Sequence, residues 1–179
     1  MNSKEDLCNL IDKSTITLIG YTFQDERIKD DLISNFNYVE IKEIDSSFSF
    51  KSFLREERLN QVLDNQQKFE YILLDLNNIL PTSFNPSKVF DRAGFIRNVL
   101  EKLRERLWVE EPLYKIIVTS PLNKTSDKDE IGSFGGGNQP IYMADLVVVL
   151  KGEIARVIKN RNGGEGDYIL YNTKQSVEI

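Results

Sequence analysis

The sequence predicts an α/β fold in which a mostly parallel central sheet carries helices on both faces and is completed by antiparallel C-terminal edge strands. Two observations support this prediction. Strand-like and helix-like segments alternate up to about residue 120, and strand-like segments then follow one another. Alternation implies right-handed βαβ units, whereas successive strands without helices imply antiparallel or mixed pairing. The chain of 179 residues is long enough for one domain with a buried core.

Each predicted strand is a short apolar or β-branched run, bounded by glycine or polar residues. The predicted strands cover residues 15–20, 38–44, 69–76, 114–119, 145–150, 154–159 and 167–171. The predicted helices have apolar residues recurring at helical spacing. They cover residues 25–36, 49–65 and 88–107.

The composition excludes several kinds of chemistry. The chain has no histidine, and Cys8 is its single cysteine. Ser-His-Asp and Cys-His catalysis, the usual zinc sites and an intramolecular disulfide are therefore excluded. Residues 1–45 contain five Lys/Arg and ten Asp/Glu, which accounts for the net charge of −5. We therefore expect no uniformly basic surface for nucleic acid. No segment approaches the ~20 apolar residues that span a bilayer, and we expect a cytoplasmic protein.

The last third of the chain carries the most specific motifs. A glycine-rich stretch, Gly135-Gly136-Gly137-Asn138, precedes Ala144-Asp145 and an apolar strand, and Lys159-Asn160-Arg161-Asn162-Gly163 follows. This series resembles the C-terminal half of RecA-type and DnaB-type ATPase cores. The resemblance extends over about residues 14–171 and implies a RecA-like three-layer sandwich in nucleic-acid metabolism. It divides the single domain 1–179 into an N-terminal extension 1–13, the core, and a mobile glycine-rich loop at 123–140.

The first third departs from that family at the phosphate-binding loop. The loop pattern G-x-x-x-x-G-K-[ST] cradles phosphates with backbone amides and a lysine. Here Gly20 fits, but Asp25, Glu26 and Arg27 stand at the second glycine, the lysine and the hydroxyl position. Each like-charge approach near 4 Å costs on the order of 4 kcal/mol at an effective dielectric of about 20. We therefore expect no ATP binding of the usual kind and no cofactor.

Other positions of the family's catalytic site match this sequence only in part. Asp75 ends an apolar strand and resembles the aspartate that orients Mg²⁺ through water, although a strand-terminating turn residue is the alternative. Glu40 and Glu43 fall where such families keep a catalytic glutamate. Pro121 replaces the polar γ-phosphate sensor, which argues against hydrolysis because proline has no donor. If the chain is active, the resemblance implies ATP, Mg²⁺ at Asp75, and Glu40 or Glu43 as the base.

Two segments resemble binding elements of the same family. The 123–140 loop resembles the mobile DNA-binding loop, in which side chains and backbone amides contact phosphates. The residues implied are Lys124, Lys128, Gly135, Gly136, Gly137 and Asn138. Lys159 and Arg161 match the Lys-x-Arg pair that ring and filament ATPases project toward a neighbour's nucleotide. A flexible surface loop and a charged hairpin with a glycine turn are the respective alternatives.

Three functions stay open from the sequence. The first is a non-catalytic RecA-like protein of DNA replication, recombination or repair, which binds single-stranded DNA, docks on a related ATPase or helicase, or self-associates. The second is an NTPase with an atypical phosphate loop, resembling a DNA-dependent ATPase. The third is a protein-interaction module or an inhibitor that mimics a helicase or recombinase subunit.

Overall fold

The computed structural model describes residues 2–40, 70–75, 115–122, 139–163 and 166–170. Eight strands lie in these ranges: β1 (Asn2–Ser3), β2 (Ile16–Tyr21), β3 (Tyr38–Glu40), β4 (Tyr71–Asp75), β5 (Lys115–Pro121), β6 (Leu146–Lys151), β7 (Ile154–Asn160) and β8 (Gly166–Ile169). The helices are α1 (Lys4–Lys13), α2 (Glu26–Ile33) and the short α3 (Gln139–Met143), and a 3₁₀ turn covers Phe23–Asp25. The helices predicted over 49–65 and 88–107 lie outside the described residues.

The strands form one sheet in the order β1-β8-β7-β6-β2-β5-β4-β3. β2 lies between β5 and β6 and runs parallel to both, and β4 runs parallel to β5 and β3. β7 is antiparallel to both of its neighbours, β6 and β8. Five parallel strands in the order β6-β2-β5-β4-β3, extended by an antiparallel strand beside β6, make this an α/β fold with a mostly parallel sheet and antiparallel edge strands. The predicted fold class is confirmed in these features.

Both faces of the sheet are buried. On one face, α1 and α2 cover the strands and contribute Leu7, Ile11, Leu32 and Ile33 to the core. The strand residues of that face alternate with residues of the opposite face, which are buried as well: Leu18, Ile72, Ile116, Val147 and Val149. A strand buried on both faces reads as a continuous apolar run rather than an alternating one. This is why β2, β4, β5 and β6 could be recognised from the sequence.

The residues 2–13, set apart above as an N-terminal extension, form part of the folded sheet and its core. β1 pairs in parallel with β8, and Leu7 and Ile11 of α1 are 0% and 1% exposed. Ser3 caps the helix: its hydroxyl accepts from Asp6 N, and the Asp6 carboxylate accepts from Ser3 N at 2.9 Å. Sequence reasoning missed this helix, although a Ser-x-x-acid cap before an apolar stripe is a known start signal.

Among the described ranges, no helix combines the length and the apolar character needed to cross a bilayer. α1, with ten residues, is the longest helix in those ranges.

Candidate functional site

The candidate site lies at the edge of the sheet where the parallel strands end. In open α/β sheets, ligands bind at the carboxyl ends of the strands. β2, β4, β5 and β6 end there at Tyr21, Asp75, Pro121 and Lys151. The turn that follows β2 is therefore the place where a phosphate loop would lie.

That turn is closed by a carboxylate of the chain itself. Asp25 N donates to Thr22 O at 2.9 Å, and the Thr22 hydroxyl donates to Asp25 Oδ2 at 3.0 Å. The same Asp25 oxygen accepts a hydrogen bond from Gly152 N, at 3.3 Å, in the turn between β6 and β7. A phosphate loop needs backbone N–H groups free to receive an anion. Here Asp25, at the position of the missing second glycine, brings a carboxylate into the turn, and its own N–H is already bonded to Thr22 O.

A buried lysine follows on α2. Lys29 is 5% exposed. Its Nζ atom lies 2.8 Å from Asp30 Oδ1 and 3.8 Å from Asp75 Oδ2. The same atom lies 4.7 Å from the centre of the Tyr21 ring, which is within cation–π distance. A buried charge is costly unless it is paired. The carboxylates of Asp30 and Asp75 and the Tyr21 ring therefore stabilise the buried ammonium.

Sequence reasoning missed Lys29 because it counted only apolar residues on α2. Lys29 stands three and four residues before Leu32 and Ile33, both of which are buried. Residues at that spacing share one helix face. The signal that could have found Lys29 is thus a charged residue in the stripe that packs on the sheet.

Negative charge dominates the surroundings of Tyr21. Burial raises the pKa of Tyr21 well above its usual value, and the charges of Asp75, Glu26 and Asp30 raise it further. Among the described residues, the buried hydroxyls of Tyr21 and of Thr119, which lies opposite Asp75 in the register, have no hydrogen-bond partner. An anionic phosphate would meet the carboxylates of Asp75, Glu26 and Asp30, of which Lys29 is ion-paired with Asp30 and Asp75.

The other predicted catalytic residues are placed as follows. Asp75 is the last residue of β4 and is 7% exposed, so it ends the strand as a buried, ion-paired group. Glu40 lies on β3 and pairs with Leu73 of β4. Leu73 precedes Asp75 by two residues in that strand. Glu43 lies outside the described residues. Within the described ranges, no three potential ligands cluster in a way that would hold a metal ion.

The six residues predicted to contact DNA in the 123–140 loop all lie outside the described residues. They are Lys124, Lys128, Gly135, Gly136, Gly137 and Asn138. The segment that follows them is described from α3 onward, and α3 carries the exposed Tyr142, with 66% of its surface accessible.

Lys159 and Arg161 bind the C-terminal end of α3. Lys159 Nζ donates to Ile141 O at 2.8 Å and to Tyr142 O at 3.3 Å. Arg161 donates to Tyr142 O at 3.1 Å and pairs with Asp145 Oδ1 at 2.9 Å. Cations are favoured at a helix C-terminus, where carbonyl groups carry partial negative charge. Burial, and next the charge of Arg161, lower the pKa of Lys159.

This cationic pair lies near the edge of the sheet where the parallel strands begin. β7 runs antiparallel to β6, and Lys159 lies opposite Val147 near the start of the parallel strands. Asp145 connects the pair to that edge, because its Oδ2 accepts from Ile16 N at 3.1 Å. By register, Lys159 is level with Leu18 of β2, and Arg161 N donates to Asp145 O just before β6. Within the described residues, both side chains contact α3 or Asp145 rather than the carboxyl ends of the parallel strands.

The comparisons with known proteins add one structural likeness. No family model matches the sequence, and no curated protein matches it. The crystal structure of the RadB recombinase is similar in fold, with 11% identity and a TM-score of 0.45, over 88% of this chain and 91% of that chain. The fold assignment rests on the strand order.

Proposed function

We propose that this chain is a non-catalytic RecA-like protein of DNA replication, recombination or repair, with a degenerate nucleotide site of its own. One observation carries the proposal: the Asp25 carboxylate accepts from Gly152 N and the Thr22 hydroxyl, in the turn where a phosphate would have to bind. Two further features agree with it. Lys29 is committed to Asp30 and Asp75, and the carboxylates around Tyr21 disfavour an anion.

The position of Lys159 and Arg161 favours an action on another molecule. Cations can stabilise the charge of a transferring phosphoryl group from outside the subunit that binds it. Since the two side chains contact α3 and Asp145 rather than the carboxyl ends of the strands in their own chain, a nucleotide that they contact would belong to a neighbouring ATPase. Both side chains would then exchange carbonyl oxygens of α3 for phosphate oxygens.

Titration with labelled ATP and Mg²⁺ tests the loss of the nucleotide site. We expect no binding tighter than about 100 μM, which corresponds to roughly −5.5 kcal/mol. The Asp75→Ala variant is the control. Tighter binding by the wild-type chain that disappears in Asp75→Ala would contradict the proposal.

Stimulation of a cognate ATPase tests the action in trans. The Lys159→Ala/Arg161→Ala variant should lose the stimulation. Arg156→Ala is a matched control on the same strand, because Arg156 is exposed and pairs with Asp167 at 3.0 Å instead of contacting α3. An unchanged rate with the double variant, or an equal loss with Arg156→Ala, would exclude the specific role of the pair.

A single-stranded DNA binding assay at two salt concentrations separates a DNA partner from a purely protein partner. We expect modest affinity that falls steeply with salt, because contacts through Lys124 and Lys128 would release counterions. The Lys124→Ala/Lys128→Ala variant should weaken binding. Absence of any DNA binding would favour the protein-interaction module or the subunit-mimicking inhibitor.

One observation favours an NTPase with an atypical phosphate loop as a second candidate. Lys29 and Asp75 lie side by side at the carboxyl edge, and they supply a lysine and a carboxylate of the types that bind phosphate and metal. In this reading ATP and Mg²⁺ would separate the pair. ATP hydrolysis by the purified chain, abolished by Lys29→Met, would establish it.

A further inference from the structure

Asp75 is the residue at which the resemblance to RecA-type ATPases implies a Mg²⁺ ion. Mg²⁺ binds carboxylate oxygens at about 2.0–2.1 Å and keeps several waters in an octahedral shell. Asp75 and its neighbour Lys29 have side chains only 10% and 6% exposed, and the Lys29 ammonium lies 3.8 Å from Asp75 Oδ2. The described residues around Asp75 therefore do not fit a hydrated divalent cation.

We propose that the Lys29 ammonium replaces the divalent cation at Asp75, so that the chain neutralises this carboxylate permanently and closes the site to metal. The inference rests on the proposed function, because it gives the reason why a RecA-like core would stay without metal and nucleotide. It concerns one pair of side chains, and it can fail while the proposed function holds.

Three contacts keep the ammonium in that position. Asp30 Oδ1 lies 2.8 Å from Lys29 Nζ, and the Tyr21 ring centre lies 4.7 Å away on another side. The lysine also occupies the helix stripe that continues with the buried Leu32 and Ile33. To leave Asp75, the ammonium would have to break these contacts and withdraw its stem from the core.

A divalent cation at Asp75 would also meet like charge. A metal bound to the Asp75 carboxylate would lie within a few ångströms of an ammonium that is 3.8 Å from the same group. Repulsion at such a distance is strong when both charges are withdrawn from water. The carboxylate of Asp30, 2.8 Å from the ammonium, is already paired with Lys29.

Removal of the ammonium should therefore create a cation site. The Lys29→Met variant keeps most of the stem volume and leaves Asp75 without Lys29. We would titrate wild type and variant with Mn²⁺, followed by electron paramagnetic resonance, and with Tb³⁺, whose luminescence a nearby tyrosine sensitises. We expect Lys29→Met to bind at least about tenfold more tightly than wild type, which corresponds to ~1.4 kcal/mol.

Matched variants make the assignment specific. Lys29→Met/Asp75→Asn should lose the gained binding, and Lys29→Arg should resemble wild type because it keeps the positive charge. If Lys29→Met does not fold, Lys29→Gln keeps a donor to Asp75 without the charge and is titrated in the same way. Binding to wild type that depends on Asp75, or no gain in the neutral variants, would overturn the inference. ATP binding by wild type would instead overturn the proposed function.

Discussion

The Nζ atom of Lys29 lies 3.8 Å from a carboxylate oxygen of Asp75, and the two side chains are only 6% and 10% exposed. This pair joins α2 to the end of β4, in the part of the sheet where ligands bind in open α/β folds. A buried ion pair adds little net stability, because desolvation offsets the attraction. Breaking it is costly, since a buried charge then loses one of its partners.

Removal of the lysine alone should destabilise the fold. We expect Lys29→Ala to lower the free energy of unfolding by about 3–5 kcal/mol, because the Asp75 carboxylate loses a buried partner. The double variant Lys29→Ala/Asp75→Asn should lose less than the sum of the single changes. Urea unfolding of the four proteins gives this comparison. Additive losses would show that the two side chains act independently.

The carboxylate of Asp25 should stabilise the turn that follows β2. Asp25→Ala removes the acceptor of Gly152 N and of the Thr22 hydroxyl. We expect a loss of about 0.5–1.5 kcal/mol in the free energy of unfolding, the usual net contribution of an intramolecular hydrogen bond. Glu26→Gln, at the neighbouring exposed position, is the control and should stay within about 0.5 kcal/mol. Equal effects at the two positions would argue against the closed turn.

The N-terminal helix should contribute to the core. Leu7 of α1 is fully buried, so Leu7→Ala should cost about 2–5 kcal/mol through lost burial and a residual cavity. Asn9→Ala changes an exposed residue of the same helix and should have a small effect. Thermal unfolding followed by circular dichroism compares the two. A small effect of Leu7→Ala would show that residues 2–13 are a dispensable extension.

Acid should weaken the cap of α1. Hydrogen bonds from the Ser3 backbone and then the Ser3 hydroxyl lower the pKa of Asp6. Because the folded pKa lies below the unfolded one, this contribution is complete above the unfolded pKa and is lost as the pH falls through the folded pKa. The stability difference between wild type and Asp6→Asn should therefore shrink below about pH 4.

Urea unfolding of both proteins between pH 6 and pH 2.5 measures this difference. Ser3→Ala removes the hydroxyl of the same cap and should cost about 1 kcal/mol near neutral pH. A difference between wild type and Asp6→Asn that stays constant over the range would contradict the assignment.

The turn after β7 should depend on a glycine at position 163. Gly163 has a φ of +93°, and its carbonyl accepts from the Asn160 side chain at 2.6 Å. An L-residue is disfavoured at positive φ, so Gly163→Ala should cost about 1–2 kcal/mol. Gly166→Ala is the matched control, because nothing lies within 4 Å of the added methyl group. Similar melting temperatures for the two variants would contradict this reading.

Some parts of the fold could be predicted because their signal is local. β2, β5 and β6 were found within one or two residues of their observed bounds, since each is an apolar run buried on both faces. α1 was missed, although its Ser3 cap and its apolar spacing are also local signals. The composition of α1 is acidic and polar, and its apolar stripe contains only a few buried residues, so the helix signal is weak.

The sequence shows which residues occupy the candidate site, but it does not show which of them are in contact. The residues at positions 25–27 and the proline at 121 are readable directly, and they already disagree with a phosphate loop. Lys29 could not be assigned to Asp75 from the sequence, because a lysine on a helix is usually solvated. The alternative reading of Lys159 and Arg161 as a charged hairpin did not anticipate their contacts with α3.

The sequence by itself determined the fold class, through the order of apolar runs and helix stripes, and the absence of the phosphate-loop residues. The tertiary structure alone decided which groups meet. Asp25 and Gly152 are 127 positions apart in the chain, and Lys29 reaches Asp75 only because α2 packs across the sheet toward β4. Lys159 and Arg161 came to lie near the edge where the parallel strands begin because β7 runs antiparallel to β6. Hydrophobic periodicity specifies each element locally, whereas these contacts depend on the order and direction of the strands.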